Sequence, residues 1–355
     1  MERGDMPQTG IVEDNRYMDH VANGYHPESH QRLEVLYGMM REPGMEGNYV
    51  EIKPRMATQE ELELIHVPTY IRLVASTAGH AMSMLDPDTY ACSKSYETAK
   101  LAAGGTLSAV DRVMKGELDN AFAFIRPPGH HAEANRAMGF CLFNNVAIAA
   151  GYALEAYKIG KALIIDWDLH HGNGTQHSFY ERADVLYFST HQYPYYPGTG
   201  FFGETGSGPG KGFTVNVPLS AGPGDGEYFR IFEEILEPIA LEFKPDIVFV
   251  SAGFDIYYQD PLGGMQVTPE GFANLAKIIL EFAQKTCKGK VIFVLEGGYH
   301  LEGLRDSARQ VLKAMRGEVL AGGRNREMGK QADPQIIGPI LKRVKEAQKS
   351  FWKNL

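Results

Sequence analysis

Asp166, Asp168 and His170 alternate along the segment Asp166-Trp167-Asp168-Leu169-His170, directly after the apolar run Ala162-Leu163-Ile164-Ile165. An extended backbone turns alternate residues to one side, so two carboxylates and an imidazole share a face. Such groups bind metal ions or move protons. The apolar run reads as a buried strand of a parallel sheet, and open α/β sheets bind ligands just past the carboxyl ends of their strands. Asp255 follows a second apolar run, Val248 to Phe254. A catalytic zinc keeps three protein ligands and an open position for water, and Asp168, His170 and Asp255 could supply the three. The set does not choose between zinc, iron(II) and cobalt(II). Any one Asp after a strand is ordinary loop chemistry; the combination is what points to a metal.

His130 and His131 follow the rigid turn Arg126-Pro127-Pro128-Gly129. Two adjacent imidazoles repel if both are protonated, so different partners should separate their roles. The natural partners are Asp166, not needed as a ligand, and Asn173. A carboxylate favours the imidazolium more than an amide does. His130 is therefore expected on Asp166 as electrostatic support, and His131 on Asn173 as proton shuttle. Tyr299 closes the loop Glu296-Gly297-Gly298-Tyr299. Its glycines permit close approach, and a phenol there could donate to an oxyanion. Taken alone, a tyrosine at that place reads as packing.

The elements that must position these groups alternate in type. Thr58-Gln59-Glu60-Glu61 is a capping box. Helices are expected over residues 96–115, 144–157, 228–243 and 271–285. Strands are expected over 121–125, 162–165, 185–189, 246–252 and 291–295. Residues 1–35 read as loop, and 192–212 as an ordered functional loop. Alternating strands and helices mean a mostly parallel sheet with helices on both faces, here as a single domain over residues 1–355 with its core at about 10–320. Four strands run into His130-His131, Asp166/Asp168/His170, Asp255 and Glu296-Gly-Gly-Tyr299, and four such endings on one sheet edge are not loop decoration.

The 355 residues are 44% hydrophobic and 22% charged, with a net charge of −9. That balance argues against nucleic acid and anionic membrane as direct partners. Three widely spaced cysteines (Cys92, Cys141, Cys287) without a Cys-x-x-Cys pair fit a reducing compartment. Residues 1–10 lack the apolar stretch of a secretory signal, and no run approaches a membrane span, so a cytoplasmic location is expected. The tail over 336–355 sets Ile337, Ile340, Leu341, Val344, Phe351 and Leu355 among Lys and Arg. It reads as an amphipathic helix that docks on its own domain or on a second subunit of a homo-oligomer, with a basic interaction arm as the alternative.

Together these stretches resemble the class II histone deacetylase family and its bacterial relatives, of the arginase/deacetylase fold. The resemblance rests on Arg126-Pro-Pro-Gly-His-His131, Gly139-Phe-Cys-Leu-Phe-Asn-Asn145, Asp166-Trp-Asp-Leu-His-His-Gly-Asn-Gly-Thr175, Ser251-Ala-Gly-Phe-Asp255 with Asp260-Pro-Leu-Gly-Gly264, and Glu296-Gly-Gly-Tyr299. It implies zinc on Asp168, His170 and Asp255. It implies that the Gly139 carbonyl accepts the substrate amide N–H, that Phe140 and Tyr196 flank an acyl-lysine stem, and that Asp88 holds substrate backbone at the rim. Tyr196 departs from the family's usual Phe and leaves the tunnel's polarity open. A structural potassium is implied at Asp166 and Ser189 with the carbonyls of Asp168, His170 and Thr190. A second is implied at carbonyls near Phe179, Arg182, Val185 and Phe213. Members that replace the tyrosine by His lose acetyl-lysine activity, and Tyr299 keeps the active form. Polyamine-selective relatives carry Glu where this chain has Leu262, which favours acyl-lysine over acetylpolyamine.

The expected reaction is hydrolysis of an N-acyl-lysine side-chain amide by metal-activated water. His131 is the general base and acid, and Tyr299 the oxyanion donor. An acetylpolyamine or other small N-acetyl-amine hydrolase is the second reading, and a non-catalytic acyl-lysine binding protein the third.

Overall fold

The computed structural model, which describes residues 6–318 and 324–355, has ten strands among them, most of them short apolar runs. They are β1 (Thr9–Val12), β2 (Val50–Ile52), β3 (Ser83–Asp86), β4 (Thr89–Ala91), β5 (Asn120–Ala123), β6 (Ala162–Asp166), β7 (Val185–Gln192), β8 (Thr214–Leu219), β9 (Ile247–Ala252) and β10 (Val291–Leu295). Eight of them make one sheet in the order β2-β1-β5-β10-β9-β6-β7-β8, and every pairing in it is parallel. β3 and β4 form a separate antiparallel hairpin.

The order explains the site. From β5 the chain crosses to β6, runs outward to β8, and returns to fill the gap with β9 and β10. The four strands whose ends carry the chemistry are therefore neighbours. Their residues are fully buried, which requires cover on both faces. One helix group, around Ser95–Met114 and Asn145–Ala156, packs together. Another gathers around Pro269–Cys287 and Leu301–Met315. The Thr58 capping box is present, with Glu61 N–H on the Thr58 hydroxyl.

Two expectations change. Residues 1–35 are not loop throughout: β1 lies inside the sheet, paired with β2 and β5, and a helix begins at Gln31. Four buried residues are too few to show a periodicity. A Cβ on Gly10 would meet the Cδ1 atoms of Ile52 and Leu118 at 2.5 Å, so those side chains would have to shift. Edge strand β8 also went unread, since Asn216 and Pro218 interrupt its pattern. Proline is tolerated on an edge strand.

The tail helix Pro334–Gln348 docks on its own domain, with Ile337, Leu341 and Val344 buried. Gln348 Nε2 donates to the Thr214 carbonyl at 2.9 Å, and Trp352 Nε1 to the Gly212 carbonyl at 3.0 Å. The Trp352 ring meets Phe213 and Phe243 edge-on. Ending the chain at Asp333 would bare this side of β8, so the urea midpoint should fall; an unchanged midpoint would mean the helix adds nothing. No described helix is long and apolar enough to cross a membrane.

Candidate active site

Asp166 ends β6, and the chain beyond it brings Asp168 and His170 to Asp255, which follows β9. One ligand atom from each of Asp168, His170 and Asp255 lies within 4.8 Å of the others. His170 Nδ1 is 3.2 Å from both Asp168 Oδ1 and Asp255 Oδ2. All three are nearly or fully buried. Burial and the Asp168 charge push Asp255 up to about 7. Burial opposes ionisation of Asp168 as well, but the His130 and His170 charges hold it far below the usual carboxylate range. Against burial, hydrogen bonds to both carboxylates raise His170 to about 9. The site demands positive charge. Two carboxylates and an imidazole, all nearly or fully buried, fit a borderline dication, and these residues could hold one.

The histidine pair divides as its chemistry suggests. His130 Nδ1 lies 3.0 Å from Asp166 Oδ2, and His131 Nδ1 lies 2.8 Å from Asn173 Oδ1. The rings are 4.0 Å apart. Burial works against His130's charge, but Asp168 and Asp166 overcome it and raise its pKa to about 10. Burial and the positive His130 and His170 push His131 far down. The two imidazoles are thus pushed in opposite directions, His130 toward the charged form and His131 toward the neutral one. Gly139, at φ +57°, lets the loop close on His131: a Cβ there would meet the ring at 2.2 Å.

Beside these groups opens a cavity of about 220 Å³ lined by Asp88, Phe140, Tyr195, Tyr196, Leu262 and Tyr299 together with His130, His131, Gly139 and His170. Tyr299 comes in over Gly297, whose Cβ would lie 2.3 Å from Asp255 Oδ2. The Gly297 N–H donates to Asp168 Oδ2 at 2.8 Å. Asp88 Oδ1 accepts from Gly139 N–H at 3.1 Å. The Tyr196 hydroxyl is shut off from solvent and sits near the Asp88 carboxylate. Loop 192–212 is ordered by Glu204, which accepts from Gly200 and Phe201 N–H and from Gln176 Nε2.

The residues named for potassium lie close by in the chain. Asp166 also accepts from the Tyr187 hydroxyl at 3.0 Å, and Ser189 Oγ meets His191 Nδ1 at 2.9 Å. The Thr190 side chain is buried. The Phe179 carbonyl accepts from Arg182 N–H and the Phe213 carbonyl from Tyr187 N–H, each keeping a second lone pair; Val185 opens β7.

Sequence reasoning missed a buried support layer. Glu296 Oε2 accepts from Gly129 and His130 N–H at 2.7 and 3.2 Å, and burial raises its carboxyl to about 7. Asp260 Oδ2 accepts from Tyr299 and His300 N–H at 2.6 and 3.1 Å. Arg32 donates to the Gly298 carbonyl at 2.8 Å and to that of Glu296, with its guanidinium 5.1 Å from the Tyr299 ring centre. Glu28 joins Arg32 to Arg126. Arg126, Asp260 and Glu296 stand inside the quoted motifs, but no role was read for them there; for Glu28 and Arg32 the signal was their spacing of four inside a segment read as loop.

A family model described as the histone deacetylase domain matches residues 26–315. The chain is 37% identical to a probable deacetylase of Archaeoglobus fulgidus, over 97% of this chain and 99% of that protein. It is 39% identical to histone deacetylase 5 of Arabidopsis thaliana over 98% of this chain and 54% of that one. It is 38% identical to polyamine deacetylase HDAC10 of Homo sapiens over 92% and 50%. The chain thus spans about half the length of these plant and human relatives. The crystal structure of the HDA15 HD domain matches with a TM-score of 0.89 at 37% identity, over 98% of this chain and 97% of that one.

Proposed function

We propose that this chain, which belongs to the histone deacetylase family, hydrolyses the side-chain amide of N-acyl-lysine. The observation that carries the reading is the placement, along one pocket wall, of a three-ligand group and a histidine pair with unlike partners, His130 on Asp166 and His131 on Asn173. Asp168, His170 and Asp255 would hold zinc, which supplies Lewis acidity and makes water reactive near neutral pH. His131, kept neutral, takes the proton from the attacking water and returns it to the leaving amine. His130, kept charged by Asp168 and Asp166, places a fixed positive charge beside the developing oxyanion. Burial keeps the Tyr299 phenol protonated, so it donates to that same oxygen. Phe140 and Tyr196 flank the stem, the Gly139 carbonyl takes the amide N–H, and Asp88 takes substrate backbone. Potassium is proposed at Asp166 and Ser189, supported by a buried carboxylate, and at the carbonyls around Phe179 and Phe213. Three free, buried cysteines support a cytoplasmic setting.

A polyamine substrate is the second reading, favoured by the similarity to polyamine deacetylases. Leu262 weighs against it: an apolar side chain in the pocket wall offers a remote ammonium nothing. The test is kcat/KM of zinc-loaded protein on an acetyl-lysine peptide and on N-acetylspermidine, with and without chelator. Chelator-sensitive preference for the peptide is expected. Preference for the polyamine would overturn the substrate, and binding without turnover would favour a non-catalytic acyl-lysine binder. A charge-assisted hydrogen bond contributes about 1.5–3 kcal/mol. Leu262→Glu should therefore shift the ratio toward the polyamine about tenfold or more, and an unmoved ratio would remove Leu262 as a determinant.

A further inference from the structure

The backing of His131 continues one residue beyond Asn173. Asn173 Nδ2 donates to Glu133 Oε1 at 2.5 Å and to the His131 carbonyl at 3.3 Å, with Met138 Sδ at 3.4 Å. Its Oδ1 meets His131 Nδ1. The direction of an amide is set by its neighbours, and here acceptors surround one end only. A carboxylate only accepts, so Glu133 does not tolerate the flipped amide. The unflipped amide in turn requires His131 to carry its proton on Nδ1, leaving Nε2 free to act as base. On its outer side Glu133 is tied to His177, whose Nδ1 lies 2.9 and 3.1 Å from its two oxygens. Burial raises the Glu133 carboxyl, but the bonds from His177 and Asn173 outweigh it and keep it charged.

We propose that Glu133 is a positioning residue that fixes the tautomer of His131 by locking the Asn173 amide. This rests on the reading of His131 as the general base. It makes the base a four-residue chain from the surface His177 inward, rather than an imidazole with one amide behind it.

The test measures kcat and KM on an acetyl-lysine peptide for Glu133→Ala and Glu133→Gln, each in the wild-type and Asn173→Ala backgrounds of the zinc-loaded protein. Residues supporting a metal-site group typically matter about 10–100-fold. E133A should lower kcat by that much with KM within about twofold. Residues acting through one another are non-additive, so in the N173A background the same change should cost less than about twofold. Equal losses in both backgrounds would overturn the proposal, because a purely structural role is indifferent to Asn173. E133Q still offers Asn173 an oxygen and keeps the shape, so it should stay within about threefold of wild type even if E133A fails to fold. A tenfold loss in E133Q would show that charge and not the acceptor matters, which also overturns it. His131→Ala with full kcat would instead sink the general-base reading, and this inference with it.

Discussion

Tyr299→Phe is expected to lower kcat about 10²–10³-fold on an acetyl-lysine peptide, the usual loss when one oxyanion donor is removed. The ring does not depend on its hydroxyl for placement. Its backbone N–H is held by Asp260, Arg32 lies on its face, and the Phe140 ring meets it edge-on at 6.1 Å. Phenylalanine should occupy the same volume, so the change removes a hydrogen bond and little else. That bond strengthens as the carbonyl oxygen gains charge, so kcat should fall while KM moves little. Steady-state kinetics with a melting curve decides the matter. A Y299F enzyme with near wild-type kcat would strip Tyr299 of the donor role and leave the oxyanion to the cation site and His130.

Glu28→Ala should destabilise the fold by about 3–5 kcal/mol, the usual result of breaking a buried ion pair. Glu28 is fully buried between two fully buried guanidiniums: Arg126 NH2 donates to Oε2 at 2.8 Å and Arg32 NH1 to Oε1 at 3.2 Å. Removing the carboxylate leaves both cations uncompensated. The same group predicts an acid limb. Burial pushes its carboxyl up, but Arg126 and Arg32 outweigh this and hold it at about 2. The unfolded chain therefore takes up this proton near pH 4.5 and the folded protein only near 2. The stability Glu28 contributes is complete above about 4.5 and is lost as pH falls toward 2. Its neighbour His20, 3.7 Å away, is kept neutral by burial with its pKa down at about 3. The unfolded chain protonates that imidazole from about 6.5 downward, so stability also falls between about 6.5 and 3. Urea midpoints should fall as pH is lowered from about 4.5 toward 2; above 4.5 the His20 loss is opposed by Glu296 and Asp255, whose raised carboxyls bind protons more readily folded than unfolded. Glu28→Gln should flatten the slope below about 4.5 and spare the slope above it. An E28A protein as stable as wild type, or a flat acid limb, would contradict the burial argument.

Local chemistry carried much of this protein in its sequence. An apolar run ending in Asp-x-Asp-x-His needs no distant partner to read as a buried strand with functional groups past its end. Adjacent histidines with one carboxylate and one amide to share must divide unequally, because two buried charges side by side repel. Those arguments concern residues close in sequence or of unusual type. Tertiary structure alone decided the rest. That β9 and β10 return to lie between β5 and β6 is a property of the whole chain path, and it makes the four strand ends one site. β1 and β8 are strands because neighbouring strands complete their hydrogen bonds, while their own four and six residues carry little pattern. Glu28, Arg32 and Glu133, and the supporting roles of Arg126, Asp260 and Glu296, were illegible for a related reason. A charged residue in sequence reads as surface, and only a fold that supplies a buried partner from far along the chain makes it worth burying.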